Sequence, residues 1–229
     1  AIPDPIWSST LASLPFVARL TAHERERLRT LAAQLLTDKQ MSAAADLELT
    51  SAMQVNIAVQ ACLPVLNLGL DWYRGWKSIV VYPSEFLVPR SITDDDGVVH
   101  EYVEPIAGEA WDGGPLVLSW EDAQQSATGA GAAYSVVIHE FVHKIDLLDG
   151  DADGVPPFLA VHKSLSLDGW RSVLHQSFDR FAAELELIDA EIPDDLDPES
   201  DELDRYYAHL PIDPYGAHDE AEFFAVSSE

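Results

Sequence analysis

His139-Glu140-Phe141-Val142-His143 sets two imidazoles four residues apart. On a helix that spacing puts both on one face, about a turn apart, where they can hold one small cation between them. Zinc suits such a pair, because it takes neutral nitrogen ligands tetrahedrally and can keep one position for water. Glu140 would stand beside that position, take a proton from the water and hand it to a leaving amine. The chemistry pointed to is hydrolysis of an amide bond. Val136, Val137, Ile138, Phe141, Val142 and Ile145 surround the motif, and apolar walls leave a cation's field unscreened.

Two imidazoles and a water leave a tetrahedral site one ligand short. Downstream, residues 213–226 pass from a Pro/Gly turn into a predicted helix with Ala221, Phe224 and Ala225 as its apolar stripe. Glu222 sits within that stripe. A buried carboxylate without a partner is costly, and a cation would supply one. Glu222 is therefore the first candidate for the third ligand, with Glu220 and His218 left as alternatives.

These groups need a scaffold. Thr21-Ala22-His23-Glu24 has the spacing of a capping box, and Leu28, Leu31, Ala32 and Leu35 continue it as one apolar helical face. Thr50 is expected to cap a second helix through Met53, Ile57, Ala58, Ala61 and Val65, ending near Gly69 unless Pro64 kinks it or ends it a turn earlier. Residues 78–82, 98–103 and 115–120 read as strands, with a turn at Asp94-Asp95-Asp96-Gly97. Helix returns from about Gly131 through Leu148, and again over 170–188 with Val173, Phe178, Phe181 and Leu185 inward. Helices before and after a run of strands predict an α+β fold and not a βαβ alternation. No linker divides the chain, so a single domain over 1–229 is expected, with a helical portion to about 75 and the catalytic core beyond it.

Composition narrows the partners. The 229 residues carry 40 acidic and 13 basic side chains, a formal charge of −27. Such a surface repels phosphate, so nucleic acid and anionic lipid are poor partners. No apolar run is long enough to span a membrane. The single cysteine, Cys62, excludes an internal disulfide and any multi-cysteine metal site. The chain opens at Ala1 without a charged-then-apolar leader, so no signal peptide is expected within it. Residues 189–204 hold nine acids and no base, read as a solvated loop or else an acidic docking strip for a basic partner.

Leu14-Pro15-Phe16, Leu47-Glu48-Leu49-Thr50, residues 61–73, residues 80–83, Gly108-Glu109-Ala110-Trp111, residues 117–120, residues 139–146, Gly154-Val155-Pro156-Pro157 and residues 221–226 recur in an order that resembles the Mlc titration factor A family of zinc-dependent peptidases. The likeness runs over nearly the whole chain. It implies a zincin core similar to the catalytic domain of anthrax lethal factor, a small mixed sheet packed on the active-site helix. It also implies Zn2+ held by His139, His143 and Glu222, Glu140 as general base, and Tyr215 as donor to the oxyanion. Members of that family are cytoplasmic, with weak aminopeptidase action on small substrates, and are linked to glucose uptake through binding the transcriptional repressor Mlc. One departure stands out. Four residues beyond Glu222, where thermolysin-like sites put an acid to orient a histidine, this chain has Val226. Asp146 is the alternative acceptor. A C-terminal helix running on past Glu229 is also expected.

Other constellations carry less. Residues 149–154 imitate half an EF-hand loop, but the twelfth position is Ala160 where a bidentate Glu is needed, so Gly150 reads as a helix C-cap. His100 and Glu101 fit an alternating strand; one of the strands could bind extended substrate through its backbone. Cys62 reads as a buried small hydrophobe. Ser135 lacks a nucleophile elbow. Two functions are therefore in play: a zinc peptidase, and a regulatory binding protein that sequesters a transcription factor and keeps its zinc for structure.

Overall fold

The computed structural model describes residues 1–93, 99–125, 134–158, 164–193, 196–197, 200 and 202–229. Helix α1 (Asp4–Ser13) and a 3-10 turn at Pro15–Arg19 lead into α2 (Ala22–Asp38). The capping box at the start of α2 is formed in both directions. Glu24 N–H donates to Thr21 Oγ1 at 3.3 Å, and Thr21 N–H donates to Glu24 Oε2 at 2.8 Å. Its predicted face, Leu28, Leu31, Ala32 and Leu35, is buried.

Strand β1 (Gln40–Ala43) follows, then α3 (Ser51–Ala61), β2 (Ser78–Tyr82), the hairpin β3 (Phe86–Thr93) and β4 (Val99–Ile106), β5 (Gly108–Ala110) and β6 (Leu116–Ser119). One sheet has the order β1-β2-β6-β5, with β1, β2 and β6 parallel and β5 antiparallel at the edge. The mixed α+β class is as expected, with one correction. β1–α3–β2 is a parallel crossover, a unit the sequence reading had set aside. Gln40-Met41-Ser42-Ala43 lacks the β-branched residues that announce a strand, and pairing with β2 imposes its conformation. β3 and β5 were likewise not foreseen. The expected turn over Asp94–Gly97 lies outside the described residues.

Thr50 caps α3 as anticipated, its Oγ1 accepting from Met53 N–H at 3.3 Å. The helix stops at Ala61, ahead of Pro64 and short of the expected end near Gly69. Pro64 has no N–H to continue the ladder, and the chain descends through tight turns to Gly69, whose φ of +91° favours glycine.

Helix α4 (Trp120–Gln125) leads towards α5 (Val136–Asp146), which carries the histidine pair. Ser135 caps α5 by accepting from Ile138 N–H at 3.2 Å. A 3-10 turn over Leu147–Asp149 and left-handed Gly150 (φ +105°) close it, so Gly150 is the cap expected of it and not part of a calcium loop. The start expected near Gly131 lies outside the described residues. Phe141 is fully buried, edge-on to Tyr73 at 4.9 Å and Trp76 at 5.6 Å. Burying a ring of that size contributes about 1.5–3 kcal/mol. Lys144, also on α5, donates from Nζ to the carbonyls of Trp111 and Gly114, tying the β5–β6 loop to the helix.

Helix α6 (Leu167–Asp189), short α7 (Asp204–Tyr207) and α8 (Glu220–Ser227) complete the order. The inner face of α6 is Leu174, Phe178, Phe181 and Leu185. Val173, expected inside, is 66% exposed. The packing partner sets this phase: Phe223 of α8 meets Phe178 at 6.1 Å and Phe181 at 5.8 Å, which turns the neighbouring Val173 outward. Helix α8 has Asp219 as its N-cap and Ser228 as its C-cap. Among the described residues no helix is long and apolar enough to cross a membrane.

Candidate metal centre

Helix α5 is buried nearly all round, and its polar residues are enclosed with its apolar ones. His139 is 7% exposed and Glu140 5%. One turn on, His143 brings its Nε2 to 3.1 Å from His139 Nε2. The third donor arrives from α8. Asp219 caps that helix by accepting from Glu222 N–H at 2.9 Å, which fixes the first turn and aims Glu222 across at α5. Glu222 Oε2 lies 3.0 Å from His139 Nε2 and 3.3 Å from His143 Nε2. The alternatives for this role are elsewhere: Glu220 pairs with His175 at 2.7 Å, and His218 is turned to Asp219 at 3.2 Å.

The triangle has edges of 3.0, 3.1 and 3.3 Å. Three donors bound tetrahedrally at 2.0–2.1 Å from one ion stand about 3.3 Å apart. The spacing therefore matches a single small divalent cation. Glu222 Oε2 is moreover buried and makes no well-aligned hydrogen bond, as an oxygen meant for an ion would be. Left to the protein's own groups, the cluster holds a proton instead. Burial pushes His139 down, but the carboxylates of Glu222 and Glu229 facing its two nitrogens prevail and raise it to about 10. Burial raises the Glu222 carboxyl, and the two imidazoles outweigh that and bring it down to about 2. Positive charge is wanted at this point, and a cation has to displace a proton to supply it.

Glu140 projects beside the triangle. Burial pushes its carboxyl up to about 7, against the pull of His139 and His143, a value suited to a base working near neutrality. Strand β5 passes directly over it. A Cβ on Gly108 would fall 2.5 Å from Glu140 Cγ and Oε1, so only glycine lets the edge strand lie this close. Gly108, Glu109 and Ala110 line a cavity of about 480 Å³ together with Tyr215, Asp213 and Asp219. Tyr215 is 55% exposed, its ring centred 6.0 Å from that of His139. The strand that passes over Glu140 is thus β5, which the sequence had not announced. His100 and Glu101 lie on β4, paired with Ile92 and Ser91 of β3.

Two acids exchange expected places. Asp146, proposed from sequence to orient a histidine, turns its Oδ2 to Gly154 N–H at 2.8 Å and pins the loop after α5. Val226, in the position where thermolysin-like sites keep an acid, is buried on the cavity wall. The acceptor on His139 is Glu229, with Oε1 at 2.9 Å from Nδ1. Sequence reasoning missed it, because Glu229 lies beyond the last residue of α8 and stands in no apolar stripe that would mark it as buried. Ser135 is spent on capping and on Gln60, and Cys62 is fully buried, its thiol pushed up by desolvation.

A pair of imidazoles on one helix, closed by a carboxylate from another and walled by an edge strand, is the construction of a metallopeptidase. Comparison with known proteins agrees. Residues 1–229 match the family described as glucose-regulated metallo-peptidase M90, and the chain belongs to it. Membership implies a divalent metal and peptide substrates. Among relatives, the Mlc titration factor A of Salmonella arizonae is 34% identical over 226 residues, covering 99% of this chain and 81% of that protein. Those of Klebsiella pneumoniae subsp. pneumoniae and Salmonella gallinarum are each 34% identical over 223 residues, covering 97% of this chain and 76% of theirs.

Proposed function

We propose that the protein is a zinc-dependent peptidase whose metal ligands are His139, His143 and Glu222. The observation that carries this reading is the convergence of three donor atoms within 3.3 Å of one another. Zinc bound there supplies a Lewis acid that polarises the scissile carbonyl and lowers the pKa of a water to about 7. Glu140 accepts the attacking water's proton and returns it to the leaving nitrogen. Tyr215 donates its phenolic hydrogen to the oxygen that gains charge in the tetrahedral state. Among the described residues strand β5 is the last strand of its sheet, and an extended peptide would add alongside it through its backbone. Action is aminopeptidase-like: the carboxylates of Glu109, Asp213 and Asp219 around the cavity favour a substrate that brings a free ammonium.

Glu140→Gln tests the assignment. Turnover of aminoacyl arylamides should fall about 10²–10⁴-fold while zinc stays bound; undiminished turnover would remove Glu140 as the base.

A second reading rests on the name shared by the relatives and on the −27 charge. The chain would bind a cytoplasmic, Mlc-like transcriptional repressor, its acidic surface meeting a basic DNA-binding module. Such binding would survive Glu140→Gln and weaken steeply with salt.

A further inference from the structure

Glu229 makes two hydrogen bonds that bear on the same helix. Its side chain is 2% exposed, beside a His139 ring that is 9% exposed. Oε2 accepts from the backbone N–H of Ser135, the cap of α5, at 2.5 Å. Oε1 meets His139 Nδ1 at 2.9 Å. The other ring nitrogen of His139 faces Glu222 and His143. The ring is therefore held at one edge by a carboxylate and offers the opposite edge to the ligand triangle.

The consequence follows from the chemistry of imidazole. A neutral ring carries one N–H, and an ionised carboxylate accepts only. With Glu229 at Nδ1 the proton has to sit there, which leaves the Nε2 lone pair directed at the cation and raises its basicity. The same carboxylate fixes the start of α5, so ring and helix cannot shift independently. The clamp extends inward. Ser135 Oγ bonds Gln60 Oε1 at 2.9 Å, and Gln60 Nε2 donates to Asn56 Oδ1 at 2.7 Å and to the Ala123 carbonyl at 3.2 Å. Helix α3 thus braces the point from which Glu229 works.

We propose that Glu229 is the positioning residue of the metal centre, setting the tautomer and orientation of His139 while anchoring the N-terminus of its helix. This rests on the zinc-ligand assignment of His139. Glu229→Gln keeps the shape but has a single acceptor oxygen, so one of the two bonds must be lost; Glu229→Ala loses both.

The experiment measures zinc dissociation constants by competition with a chromophoric chelator, and the visible spectrum of the cobalt-substituted protein, for wild type and both variants. Zinc affinity should fall about 10–100-fold, with a changed cobalt spectrum, more in Glu229→Ala than in Glu229→Gln. Glu229→Asp, which keeps both acceptor oxygens, should recover part of the loss, and it carries the comparison with Gln if the Ala variant does not fold. Thr21→Ala is the structural control. It removes the cap of α2, which contributes nothing to the metal centre, so melting temperature should drop while zinc affinity holds. Variants of Glu229 that bind zinc as tightly as wild type, with an unaltered cobalt spectrum, would overturn the proposal alone. A wild-type protein that binds no zinc would overturn the ligand assignment and the proposal with it.

Discussion

Helix α8 contributes a carboxylate to two histidine clusters that look alike on paper. Glu222 joins His139 and His143, four apart on α5; Glu220 joins His175 and Asp179, four apart on α6. The chemistry available differs completely. In the first cluster three donors face one point, and the side chains are 9%, 12% and 18% exposed. In the second, one imidazole uses opposite nitrogens for two carboxylates, Nδ1 to Glu220 at 2.7 Å and Nε2 to Asp179 at 3.4 Å, and its own side chain is 66% exposed. Donors that diverge around a ring cannot share an ion, and water screens what charge they have. A histidine, a second candidate ligand four residues on and a glutamate from α8 are common to both places. Convergence and desolvation make only the first of them a candidate metal site.

The comparison breaks most sharply at His143. Replacing it with alanine leaves two donors, and His143→Ala should lose stoichiometric zinc on dialysis and fall to background activity; metal analysis that still finds full occupancy would return the cluster to the level of its surface counterpart. A middle effect is expected at Gly108. Gly108→Ala has to push either β5 or the Glu140 carboxylate aside, and a displacement near 1 Å costs about 10²-fold in turnover. Zinc content should not change, so steady-state kinetics with parallel metal analysis separates the wall from the ligands. His175→Ala should do least: unchanged zinc and unchanged kcat. Its one signature is in pH. The hydrogen bond to Glu220 and then the charge of Asp179 raise the His175 pKa, so the pairing adds stability below the unfolded value of about 6.5 and loses it as pH rises through the raised one. Melting curves of wild type and variant should differ slightly at pH 5.5 and converge towards pH 9.

Much of this centre can be read along the chain because its determinants are local. The histidine pair needs only helical periodicity, and the capping residues Thr21, Thr50 and Ser135 act on amides three positions away. Glu222 stood out as an acid in an apolar stripe, since burial of a charge demands a partner wherever that partner is. Gly108 and Glu229 gave no such sign. A glycine in a three-residue strand without β-branched neighbours carries no propensity, and its need for glycine arises only where β5 crosses Glu140. Glu229 and Asp146 are both buried acids within reach of α5, and nothing local says which of them meets His139.

Periodicity along the chain was enough to assign the helix, the face of its two imidazoles and the need for a distant carboxylate, because those follow from dihedral geometry and the cost of burying charge. Which edge strand walls the cavity, which acid holds the ring, and whether Val173 or Leu174 faces inward were settled by packing between elements far apart in sequence. Contacts of a few ångströms between such elements depend on the assembled core, and no local pattern encodes them.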